Sequence, residues 1–106
     1  MAGIFTANDP MGVGAAQAIA DSGKSGVKDV GVVGFNADEI ALKAIKDGTM
    51  SATIQQIPYD MGKMTVDLAT KLMNGEKLKY DKEAEREIYV PVKLITPENV
   101  DTLLKK

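Results

Sequence analysis

The chain contains no cysteine and no histidine. That excludes disulfides, zinc sites built on Cys or His, and catalysis that needs a thiol or an imidazole. It also lacks a basic stripe: 13 Lys and Arg are scattered among 15 Asp and Glu, for a net charge of −2. A nucleic-acid partner needs a clustered cationic face, so none is expected. The longest apolar stretch, near Val30 to Phe35, falls far short of the ~20 residues that cross a bilayer. No secretory leader is read either, since Met1 runs straight into a strand-like segment. The pattern favours a fragment of a longer protein over a complete cytoplasmic one.

What remains is ordinary globular composition, 44% apolar and 26% charged, at a length of 106 residues that suits one domain. Three times a short apolar run leads through polar residues into a helical pattern. Gly3 to Ala7 leads through Asn8-Asp9-Pro10 into a helix over Met11 to Ser22, with Asp9 expected as N-cap, Pro10 at its first position and Gly23 as its stop. Val30 to Phe35, rich in Gly and Val without alternation, reads as a strand of a parallel sheet. Asn36 to Glu39 then opens a helix with an apolar stripe of Ile40, Leu42, Ala44 and Ile45, closed by Gly48.

Ser51 to Ile54 is the third run, and Gln55-Gln56-Ile57-Pro58 follows it. A longer helix is expected over about Tyr59 to Met73, with Met61, Thr65, Leu68 and Leu72 on one face. Glu76 to Glu87 reads as a solvated connection, and Ile88 to Ile95 as extended. Thr96-Pro97-Glu98 should cap a short last helix, with Lys105 and Lys106 at its negative end. The βαβαβα order predicts an α/β fold, a mostly parallel sheet with helices on both faces.

Ligands of such sheets bind beyond the carboxyl ends of the strands. Those ends carry Asn8-Asp9, Asn36 with Asp38, and Gln55-Gln56. A side-chain amide both donates and accepts, which matches a sugar hydroxyl and requires no proton transfer. The pattern indicates binding without turnover. Each residue also has a structural role open to it: Asn8 and Asp9 as helix caps, and Asn36 with Glu39 as a capping box. Strand alternation sends Gln55 and Gln56 to opposite faces. Met11 to Gln17 resembles a dinucleotide fingerprint but has Gln17 at the third glycine, so Gly12 and Gly14 are read as close helix-to-sheet packing. Phe5, Phe35 and the six methionines are read as core, and Asp9 and Asp38 as caps rather than an acid/base pair.

Gly3 to Met11, Val30 to Asn36, Ala44 to Pro58, Met73 to Lys77 and Ile88 to Thr96 together resemble the C-terminal half of ribose-type periplasmic binding proteins. The resemblance implies the sugar-binding component of an ABC importer, with two Rossmann-like lobes closing on a pentose, hexose or polyol and a membrane importer as partner. It implies no enzyme activity, cofactor or metal, and an extracytoplasmic parent protein. Carried over, Asn8, Asn36 and Gln56 are ligand-binding residues, Asn36 standing where the family commonly has an aspartate. Residues 1–56 would belong to the C-terminal lobe. Residues 57–90 would be a hinge-crossing segment and a helix of the other lobe, and residues 91–106 the return strand and last helix. An isolated chain would expose strand edges and an apolar helix face, which favours homo-oligomers or strand exchange. The alternative is the effector-binding portion of a lactose-repressor-type regulator, which shares the fold but usually lacks the Lys46 to Gln56 run.

Overall fold

The computed structural model describes residues 3–104, which form two compact units. The first comprises residues 3–56 and 93–104, the second Ile57–Val92. In the first unit the order is β1 (Gly3–Phe5), α1 (Asp9–Asp21), β2 (Gly31–Phe35), α2 (Glu39–Asp47), β3 (Ala52–Gln55), β4 (Lys93–Ile95) and α4 (Val100–Leu104). The second unit holds α3 (Pro58–Met73).

The sheet runs β1-β2-β3-β4, the first three parallel and β4 antiparallel to β3. This is the α/β fold with a mostly parallel open sheet that the sequence indicates. Gly34 pairs with Thr53 and Thr53 with Ile95, so these residues and Val32 share one face. On that face Val32 and Ile95 pack with Ala16, Ala41, Leu42, Ile45, Met50 and Val100, with Val13 and Ile19 alongside. Each fully buried Val, Ile or Met contributes about 1.5–3 kcal/mol. Helices α1, α2 and α4 all feed this one core, so the unit's own helices line a single face. The opposite face carries Phe5, 67% exposed, with Val33, Phe35 and Ile54 half-buried. Phe5 and Phe35 are therefore not the core residues that the sequence suggests, because no helix of the unit covers them.

Gly23, Gly48 and Gly75 follow helices with φ near +80°, a conformation that costs glycine little. Several local expectations shift. The buried stripe of α2 is Ala41, Leu42 and Ile45, while Ile40 points outward. Of the described methionines only Met50 is fully buried, and Met11, Met61 and Met73 are exposed. The last strand contracts to Lys93–Ile95. The last helix begins at Val100, after a turn in which the Thr96 hydroxyl meets the Glu98 carboxylate and the Thr96 N–H donates to Asn99 Oδ1 at 2.8 Å. Lys105 and Lys106 lie outside the described residues.

In the second unit, α3 has no fully buried residue. Leu68 of the expected stripe is half-buried beside Met64, whereas Met61, Thr65 and Leu72 are exposed. The segment after it is solvated, with an antiparallel bridge between Lys82 and Glu87. A groove of about 780 Å³ lies within this unit, floored by Met64, Leu68, Leu78, Ile88 and Val90.

Candidate functional site

The parallel register places the carboxyl ends of β1, β2 and β3 along one edge. After Phe5 the chain turns on Thr6, whose hydroxyl donates to Asn8 O at 2.9 Å. Asn8 is extended and its Oδ1 accepts from the N–H of Met11 at 3.1 Å, so Asn8 rather than Asp9 is the N-cap of α1. Asp9 becomes the first helical residue and is fully buried. Burying a carboxylate is costly unless its oxygens are satisfied. Here Oδ1 accepts from the Thr53 hydroxyl and Oδ2 from the Asp38 N–H, both at 2.6 Å. The N-terminus of α1 adds a favourable dipole. Gly34 makes the room: a Cβ there would collide with the Asp9 carboxylate and with Met50 Cε. Gly12 packs as closely as expected, with Met50, Thr6 and Gly34 around it, whereas Gly14 faces open space.

The β2–α2 loop is unusual. Asn36 has φ 121° and Ala37 φ 61°, two successive non-glycine residues in the left-handed region. Such conformations cost about 1–3 kcal/mol each and persist where the surroundings over-determine them. Three bonds do so: Asn36 N–H to Ile54 O at 2.7 Å, Ala37 N–H to Thr53 Oγ1 at 3.4 Å, and Asp38 N–H to Asp9. The Asn36 side-chain nitrogen then donates to Asp38 Oδ1 at 2.5 Å.

Asp38 occupies the N-cap position of α2, yet its side chain makes no capping bond. The capping box expected of Asn36 and Glu39 does not form either. Glu39 instead pairs with Lys43 at 2.7 Å, and the Lys43 hydrogen bond and charge hold its carboxyl below the usual range.

Gln56 follows β3 directly and is half-buried. Its side chain makes no hydrogen bond among the described residues. The structure thus links Asn8 and Asn36 through the neighbouring Asp9 and Asp38, and leaves Gln56 unbonded at the end of the adjacent strand. Thr53 is a residue that sequence reasoning misses; a Thr in an apolar strand, set against an acid after another strand, is the available signal.

The fold defines the class: an open α/β unit whose polar groups gather at the carboxyl edge, where such sheets receive ligands. A family model described as a periplasmic binding protein domain matches residues 1–77, and the chain belongs to that family. The ribose import binding protein of Salmonella typhimurium is 43% identical over 75 residues, covering 71% of this chain and 24% of that protein. A periplasmic ribose ABC transporter structure from Conexibacter woesei is 31% identical with a TM-score of 0.79, over 100% of this chain and 34% of that one. An ABC transporter solute binding protein from Agrobacterium vitis with bound D-fucose is 35% identical with a TM-score of 0.71, over 95% and 32%. The chain spans about a quarter of the length of the curated relatives it matches.

Proposed function

We propose that this chain is the C-terminal portion of the sugar-binding component of an ABC importer, and that Asn8, Asn36 and Gln56 contact the sugar. The observation that carries the reading is the amide found just past the end of every parallel strand, at one edge of one sheet. A site of this kind selects ligands that complete its hydrogen bonds and rejects those lacking the hydroxyls. It performs no chemistry on what it holds. Relatives named for ribose and D-allose, and a solved relative holding D-fucose, support a pentose or hexose as ligand.

In this reading residues 1–56 belong to one lobe and residues 57–90 carry the hinge crossing and a helix of the other. Residues 91–106 return to the first lobe. The complete protein acts outside the cytoplasm and delivers sugar to a membrane importer. The relatives found are import and solute-binding proteins, which does not favour the regulator alternative.

Calorimetric titration of the complete protein with D-ribose, D-allose and D-fucose tests the reading. At least one should bind, and Asn36→Ala or Gln56→Ala should weaken it by roughly tenfold or more, as sugar hydroxyls lose partners. Absence of binding, or unchanged affinity in both variants, overturns the assignment.

A further inference from the structure

We propose that Asp38 is a positioning residue for Asn36 and decides which half of the Asn36 amide meets the ligand. The inference rests on the sugar-binding reading of this strand edge.

A carboxylate has no proton to give, so the amide nitrogen of Asn36 is the half that faces Asp38. Asn36 Oδ1 is left to accept from elsewhere. Two further observations favour a built arrangement. An Asp at an N-cap ordinarily accepts from a backbone N–H in the first helical turn. Asp38 makes no such bond, and its carboxylate is engaged by Asn36 instead. Its own N–H is fixed by the fully buried Asp9, which is fixed in turn by Thr53. A run of hydrogen bonds therefore leads from Thr53 through Asp9 and Asp38 to the Asn36 amide, beside two left-handed residues held by the Asn36 N–H bond to Ile54 O, the Ala37 N–H bond to Thr53 and the Asp38 N–H bond to Asp9.

The consequence is a polarity of recognition. One amide hydrogen of Asn36 is committed to Asp38, which holds Oδ1 on the far side of the amide, where it accepts from a ligand hydroxyl. Asp38 acts through Asn36 without touching the sugar.

The test uses the complete protein, calorimetry with D-ribose and D-allose, and NMR of the Asn36 side-chain amide. Asp38→Ala should weaken binding roughly tenfold, with a melting temperature close to wild type because no capping bond is lost. Asp38→Asn keeps an acceptor oxygen and should restore affinity to within about threefold of wild type. The Asn36 amide protons should exchange faster in Asp38→Ala and not in Asp38→Asn. Wild-type affinity in Asp38→Ala, or equal losses in the two variants, overturns the positioning role while Asn36→Ala still weakens binding. If Asn36→Ala binds as wild type, or no sugar binds, the site reading itself fails and this inference falls with it.

Discussion

The Thr53 hydroxyl and the Asp9 carboxylate stand 44 residues apart in the chain and 2.6 Å apart in space, and both residues are fully buried. One bond thus joins the start of α1 to the middle of β3, across the strand that lies between.

Thr53→Val keeps the shape and removes that donor. It leaves a buried carboxylate oxygen unpaired, which should cost about 1–3 kcal/mol. A lower urea midpoint at unchanged slope is the expected result.

Two glycine replacements should have opposite signs. Gly34→Ala places a methyl against Asp9 and Met50 and should destabilise the fold. Gly14→Ala sits inside α1 with nothing within 4 Å, and should stabilise by roughly 0.5–1 kcal/mol. Thermal melts of both variants check the pair.

Asn8 has two roles that substitution can separate. Asn8→Ala loses the cap and should cost about 1 kcal/mol. Asn8→Ser retains a capping oxygen and hence stability, but has no amide to offer a ligand. On the proposed function it should bind sugar more weakly while melting as wild type, which parallel calorimetry and melting would show.

Glu39 supplies a pH-dependent contact. Its carboxyl is lowered in the folded state, first by the Lys43 hydrogen bond and then by the Lys43 charge. The stabilisation is therefore present above the ordinary Glu value and is lost as pH falls through the lower folded one. A carboxyl NMR titration should show a depressed Glu39 midpoint that moves back up in Lys43→Ala. Because the pair is exposed, salt should diminish the difference.

Phe5 at 67% and Leu94 at 52% exposure leave an apolar surface on the side of the sheet that the first unit's own helices do not line. We expect the 106-residue chain, produced alone, to self-associate through surfaces of this kind. Light scattering showing a monodisperse particle of 11.3 kDa would contradict that.

The elements are legible because their signals are local. Val and Gly without alternation mark β2, and Gly23 and Gly48 mark the ends of α1 and α2. The strand ends are legible too, which brings Asn8, Asn36 and Gln56 forward. What local signals do not carry is the partner of each polar side chain. Asp9 beside Pro10 satisfies every rule for an N-cap, yet Asn8 takes that place because Asp9 is claimed by Thr53 and Asp38. Asn36 and Glu39 have capping-box spacing, but the helix starts later and Glu39 finds Lys43 one turn on. The residue type of Phe5 suggests burial, whereas burial depends on what covers that side of the sheet.

The antiparallel pairing of β3 with β4 has a consequence for engineering. Gln55 and Lys93 are direct partners, so the backbone leaves the first unit and re-enters it at adjoining positions. An Asn-Gly dipeptide in place of residues 56–92 would turn the two strands into an ordinary hairpin. The shortened chain would be a minimal α/β miniprotein, and its cooperative melting would show whether residues 56–92 are a detachable insertion or a structural necessity.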